Sequence, residues 1–269
     1  MHPMYSRTIV DETFQLKAQG LTDREIAARC GVSIYAVRHW RYGRRRNPET
    51  EARRADRTMY CPKCSDGKLN HEAYAYLLGA YLGDGHITLG RRDVYVLWIH
   101  YDNKYPQLIS YCTAAMEAVF PIKSFKAKRP GSVAIKGASK HWPCIFPQHG
   151  PGHKHSRSIV LEPWQQEIAD EQSEALIRGF IHSDGCRAIN RIPKRRPDGG
   201  ATHYEYPRYH FTNTSTDIIE IFTRALDRLG IAWKIHVNKR ELPLRNAQIV
   251  SISRKDAVAK MERIVGPKY

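Results

Sequence analysis

Long apolar runs are missing from this chain, and no stretch approaches the roughly 18 apolar residues that a bilayer-spanning helix needs. Nor is its beginning apolar, because Met1 is followed by Tyr5, Arg7, Asp11 and Glu12. A soluble cytoplasmic protein is the expectation. Cysteine is scarce: six in 269 residues are too dilute for a disulfide scaffold, so reduced thiols are expected. Acidic residues are in deficit, with 27 Asp plus Glu against 43 Lys plus Arg and a formal charge of +16. An acidic polymer is the first partner such a surplus suggests. With 42% hydrophobic residues the chain is too apolar to be disordered throughout. Its length suits two modules, or one large module with an appendage.

Residues 5–42 carry helical periodicity, with Ile9, Phe14, Leu16, Leu21, Ile26, Ala27, Val32, Val37 and Trp40 as the apolar set. Thr22 and Glu25 have the spacing of a capping box, Gly31 can end the second helix, and Ser33 can cap a third. The string GLTDREIAARCGVSIYAVRHWRYGRR resembles helix-turn-helix DNA-binding domains over residues 20–45. That resemblance makes residues 33–42 the recognition helix. Tyr35, Arg38 and His39 are then expected to meet bases or phosphates, while Val37 and Trp40 hold the helix to its core. A small helical cap for another protein is the competing reading. The Arg-rich stretch that follows, with Arg41, Arg44, Arg45, Arg46, Arg53, Arg54 and Arg57, fits a phosphate-tracking path or a solvated tether, and residues 48–70 are the basic linker with the CPKC knuckle.

CPKC at residues 61–64 presents two thiols on a tight turn, half of a metal site. Cys144 and His149 are taken as the other two ligands of a structural zinc ion. They come from HWPCIFPQHGPGHKH, which also offers His141, His153 and His155, and His71 is nearer in sequence. Free thiols in a turn are the alternative. No HExxH string is present, and four protein ligands would leave no open position for catalysis.

The most informative pattern is an internal echo 100 positions apart, YLLGAYLGDGHI at 76–87 and LIRGFIHSDGCR at 176–187. Gly79 with Gly83 and Gly179 with Ser183 put small residues four apart on one helix face, so two such helices can pack backbone to backbone. Asp84 and Asp184 then meet at the carboxyl ends, where the helix dipole and mutual repulsion both disfavour them. A bound cation relieves that cost.

Both strings resemble the signature motif of the LAGLIDADG homing endonuclease family in its single-chain, two-motif form, over residues 71–268. Residues 77–85 and 177–185 align with the nine-residue motif, departing at its sixth position as Leu82 and His182. The resemblance implies an α+β fold: a pseudo-twofold pair of α-β-β-α-β-β-α units, residues 71–170 and 171–269, behind an all-α helix-turn-helix domain at residues 1–47. An insertion is expected near 138–160. The coarse elements agree, with helices at 72–82, 104–119, 174–181, 216–229 and 255–264 between paired strands.

The resemblance further implies that the open sheet faces read the major groove of double-stranded DNA. Arg91, Lys126, Lys128, Arg187 and Arg191 are expected contacts, as is a phosphate-gripping loop with Lys194, Arg195 and Arg196. In the insertion, Lys140, Lys154, His155 and Arg157 are expected to reach the duplex backbone. The resemblance assigns divalent Mg2+ or Mn2+ to Asp84 and Asp184, with the carbonyls of Gly83 and Ser183 as further ligands. Lys136 is the expected basic helper, and nothing equivalent is evident in the second unit. The expected activity is metal-dependent cutting of both strands by a monomer. A DNA-binding regulator that has lost cleavage is the alternative. An intein is not expected, since Met1 is no splicing nucleophile and IVGPKY lacks a His-Asn junction.

Overall fold

The computed structural model describes residues 5–42, 61, 63–64, 68–195, 200–241 and 245–266, without the side chains of 42, 194, 195 and 201. The chain divides into two compact units, Met1–Met59 and Tyr60–Tyr269. The first holds helices α1 (Arg7–Ala18), α2 (Asp23–Cys30) and α3 (Ile34–Tyr42). Thr22 and Glu25 form the anticipated capping box, with Thr22 N donating to Glu25 Oε2 at 2.8 Å and Glu25 N to Thr22 Oγ1 at 3.3 Å. Gly31, at φ 63°, ends α2 in the left-handed region that a Cβ disfavours. Ser33 Oγ accepts from Ala36 N at 3.1 Å, and Val10, Leu16, Ile26, Ala27, Val32, Val37 and Trp40 form the core. Arg44, Arg45, Arg46 and the body of the linker lie outside the described residues.

The second unit contains two copies of one plan. The first runs through α4 (His71–Leu82), β1 (His86–Leu89), β2 (Tyr95–Asp102), α5 (Pro106–Val119), β3 (Ser124–Arg129) and β4 (Ser132–Ser139). After the insertion, with its short helix α6 (Trp142–Ile145), comes α7 (Pro163–Glu171). The second copy comprises α8 (Ser173–His182), β5 (Gly185–Arg195), β6 (Ala201–Asn213), α9 (Thr216–Arg228), β7 (Lys234–Asn238), β8 (Ala247–Ile252) and α10 (Lys255–Val265). Their antiparallel sheets have equivalent strand orders, β1-β2-β4-β3 and β5-β6-β8-β7. Helices cover one face of each sheet, and one apolar core runs through both copies.

The motif helices α4 and α8 form the seam of that core. Residues 74–82 of α4 are all buried, as an all-apolar helix requires. A Cβ on Gly79 would stand 2.5 Å from Leu176 O and 2.8 Å from Phe180 N, and one on Gly179 would strike Tyr76 O. The two backbones touch where the small residues of the echo lie. His182, at the divergent sixth position, is a satisfied core residue: its Nε2 lies 2.9 Å from Val265 O and its Nδ1 3.2 Å from Tyr76 Oη. If Nε2 carries the proton, it donates to the carbonyl while Nδ1 accepts from the tyrosine.

Candidate cation site and nucleic-acid interface

Gly83 (φ −76°, ψ −106°) and Ser183 (φ −87°, ψ −97°) end the motif helices with nearly the same backbone. Their N–H groups donate to Gly79 O and Gly179 O at 3.1 and 3.2 Å. The chain therefore turns alike in both copies and carries Asp84 and Asp184 off adjoining helix ends. A Cβ on Gly83 would meet Ser183 Cβ at 2.7 Å and Asp184 Oδ2 at 3.4 Å. Clefts open on both sides of the seam. Asp84, His100, Asp102 and Ser183 help line one; Gly83, Lys154, Asp184, Asn213 and Arg240 help line the other. Each cleft pairs the carboxylate of one motif with the residue before the carboxylate of the other. Asn213 Nδ2 donates to Asp184 Oδ2 at 3.2 Å, while its own Oδ1 accepts from Ser215 N at 2.9 Å. The end of β6 thereby aims the second carboxylate.

A cation already reaches this cluster from the insertion. Lys154 Nζ donates to Gly83 O at 2.5 Å, to Gly85 O at 2.6 Å and to Tyr81 O. These carbonyls stand at the negative end of the α4 dipole. Burial pushes the Lys154 ammonium down to about 8, while Asp184 and then Asp84 oppose that shift. Both carboxylates thus act on one cation position bounded by oxygen donors. Carboxylates and carbonyls are the hard ligands that Mg2+ and Mn2+ prefer. Lys154 was expected on the DNA backbone; it is turned inward, because the helical turn Lys154–Ser156 folds over the end of α4. Arg157 is likewise committed, donating to the loop carbonyls Gln148 O at 3.1 Å and Gly152 O at 3.0 Å. Lys136, the expected helper, lies on the first sheet with Nζ 5.2 Å from the Trp98 ring centre.

Strand parity separates the sheet faces and puts four of the expected DNA contacts on the helix-covered side. Lys126 and Lys128 pair with Ile135 and Val133, whose side chains enter the core, so they share the helix-covered side. Arg187 and Arg191 pair with Tyr209 and Glu205 on the helix side of the second sheet. Arg187 is bound there to Glu262 of α10 at 2.8 Å, and Arg191 to Glu205 at 2.8 Å. Basic composition could not reveal this, because a shift of one residue reverses the face. The open face of the first sheet instead carries His86, Thr88, Trp98, His100, Arg129 and Lys136. His86 stacks on His100 at 5.5 Å between ring centres, and Trp98 Nε1 donates to Thr88 Oγ1 at 3.0 Å. Burial holds both histidines below their usual range, and Arg129 adds to that shift in each. The open face of the second sheet carries Asn190, Ile192, Tyr204, Tyr206, Arg208 and His210.

Arg91 lies in the turn joining β1 to β2. Lys194 and Arg195 extend β5 rather than forming a loop, and Arg196 lies outside the described residues. On α3, Tyr35 is 82% exposed and His39 is exposed, while Val37 and Trp40 are buried as anticipated. Arg38 leans back toward Asp23, with Nε 3.5 Å from Oδ2.

The thiol cluster forms within the second unit. Donor atoms of Cys61, Cys64, His141 and Cys144 all lie within 4.8 Å of one another. His141 therefore takes the place expected of His149, whose ring packs edge-on against Tyr95 at 5.6 Å. His71, the nearer alternative, bonds Glu171 at 2.8 Å. A usable signal was the two-residue gap of H-W-P-C, which matches that of C-P-K-C. Burial, followed by the neighbouring Cys61, pushes the Cys144 thiol up to about 12.

Residues 171–266 match the family model of the LAGLIDADG-like domain, and the first copy in the second unit repeats the strand order of that segment. Among solved structures, I-DmoI in complex with DNA and Mn is 17% identical, with a TM-score of 0.49, over 74% of this chain and 99% of that one. The N-terminal LAGLIDADG domain of DUF199/WhiA is 14% identical, with a TM-score of 0.43, over 74% of this chain and 84% of that one. I-AabMI bound to uncleaved DNA is 10% identical, with a TM-score of 0.43, over 71% and 82% respectively. No curated protein matches the sequence.

Proposed function

We propose that this chain is a sequence-specific, divalent-metal-dependent endonuclease of double-stranded DNA. The observation that carries the reading is the meeting of Asp84 and Asp184 at the helix seam, each lining a cleft with the residue that precedes the other's carboxylate, beside a Lys154 ammonium cradled by carbonyls. Asp84, Asp184 and the carbonyls of Gly83 and Ser183 are the groups that would hold Mg2+ or Mn2+. Such an ion supplies charge neutralisation at the scissile phosphate and acidifies water. Hydrolysis forms a phosphorus–oxygen bond from water and breaks the bond to the 3′ oxygen. Asn213 keeps the Asp184 carboxylate oriented for this work.

Around the site, the open sheet faces supply the duplex-reading surface. Trp98, Thr88, His86 and His100 offer ring edges, a hydroxyl and imidazole nitrogens to bases, while Arg129 and Lys136 offer charge to phosphates. Tyr35 and His39 on α3 give the first unit its own reading surface. Both halves of the centre lie in one chain, so a monomer suffices.

A binding-only regulator is the second reading, favoured by the asymmetry of the two halves. In the second sheet Gln248 Nε2 donates to Thr216 Oγ1 at 2.9 Å, and Arg254 Nε lies 3.2 Å from Asp256 Oδ1, so neither is poised as a counterpart to Lys136. The test is selection of bound duplexes from a random pool, followed by incubation with Mg2+ or Mn2+. Metal-dependent cutting that Asp84→Asn and Asp184→Asn each abolish while binding persists supports the nuclease. Tight binding without cutting in either ion supports the regulator.

A further inference from the structure

Two tight turns from distant parts of the second unit face each other across the thiol cluster. Cys61 and Cys64 are three residues apart on a turn closed by Cys64 N donating to Cys61 O at 3.1 Å. His141 and Cys144 are also three apart, on a turn closed by Cys144 N donating to His141 O at 3.0 Å. Each turn presents two donors toward the other. Cys64 Sγ lies 3.8 Å from Cys144 Sγ, and Cys144 Sγ lies 3.9 Å from His141 Nδ1.

These separations discriminate between uses of the thiols. A disulfide requires sulfurs about 2.05 Å apart, far below the observed gap. A tetrahedral zinc ion with bonds of about 2.3 Å to sulfur places its sulfurs about 3.8 Å apart. The Cys64–Cys144 distance is that tetrahedral edge. Three sulfurs and one imidazole nitrogen form a closed ligand set with no position left for water.

We propose that Cys61, Cys64, His141 and Cys144 hold one structural zinc ion. Its mechanical consequence follows from where the turns lie. Cys61 and Cys64 stand at the start of the second unit, and His141 and Cys144 open the insertion that carries Lys154 to the motif ends. Trp142, between the latter ligands, is buried, with its Nε1 donating to Gly137 O at 2.9 Å. The zinc ion therefore ties the beginning of the unit to the root of the insertion.

Metal analysis of the full-length protein, purified without added zinc, tests this independently of DNA cutting. One zinc per chain is expected, with loss of the ion in His141→Ala and Cys144→Ser but retention in His149→Ala. Replacement by Co2+ should give the visible bands of tetrahedral cobalt and thiolate-to-metal charge transfer, a measurement on unaltered protein that does not depend on any variant folding. Hydrogen exchange should show residues 141–149 losing protection when a chelator removes the ion. Zinc-free protein that also gives no tetrahedral Co2+ spectrum overturns the proposal. Loss of zinc in folded His149→Ala, with retention in His141→Ala, overturns the ligand assignment.

Discussion

Substituting Gly79 by Ala tests whether the two motif helices meet backbone to backbone. The new methyl would sit 2.5 Å from Leu176 O and 2.8 Å from Phe180 N, where ordinary contact begins near 3.4 Å. The helices must part by roughly 1 Å, and the obstructing atoms are backbone with no rotamer to change. Overpacking of a dense core costs about 1–3 kcal/mol, with the upper end fitting an obstacle that cannot move. Alanine returns about 1 kcal/mol through helix propensity, leaving a net loss of about 2 kcal/mol. Urea denaturation of the full chain measures it, with Trp98, Trp142, Trp164 and Trp233 reporting on the second unit. Gly150→Ala is the control, because its methyl meets nothing closer than 3.6 Å, and it should change stability by less than about 0.5 kcal/mol. If Gly79→Ala were neutral or stabilising, propensity alone would account for the position and the close seam would be refuted.

Three further outcomes follow from separate parts of the molecule. Hydrogen bonding by Arg224 holds the Asp170 carboxyl below its usual range. Its contribution is therefore present above the unfolded value of about 3.9 and is lost as pH falls through the lower folded value. Asp170→Asn should cost about 1 kcal/mol near neutrality, discounted for the half-exposed arginine, and should reduce the acid sensitivity of stability; an unchanged acid profile would remove the pair from the account. Thr22→Ala should destabilise the first unit by about 1 kcal/mol in thermal melts through loss of the capping box, and no change would deny the cap any weight. Arg129→Ala should weaken DNA binding and lower the salt slope by about one, whereas Lys128→Ala should leave both nearly unchanged; the reverse order would contradict the facing of the first sheet.

The repeated small residues made the helix seam legible in sequence, because a backbone contact requires Gly at the crossing and little else satisfies it. Side-chain facing at the sheet edges was hidden: Lys126 and Lys128 are exposed on an edge strand, so no alternation of burial marked their side. Arg187 looked free for phosphate because its partner Glu262 lies 75 positions away. Lys154 was misread for the same reason, since only the folded insertion brings it to Gly83 O, 71 positions earlier. Among the histidines of the insertion, composition could not choose between His141 and His149, and the choice rests on the turn shared with Cys144.

The most direct measurement of the proposed centre is anomalous diffraction from Mn2+ in crystals of the protein bound to its selected duplex. The account places manganese between Asp84 and Asp184, touching the carbonyls of Gly83 and Ser183, with the Lys154 ammonium withdrawn from Gly83 O. Manganese bound elsewhere, with the two carboxylates separated and bare, would contradict it.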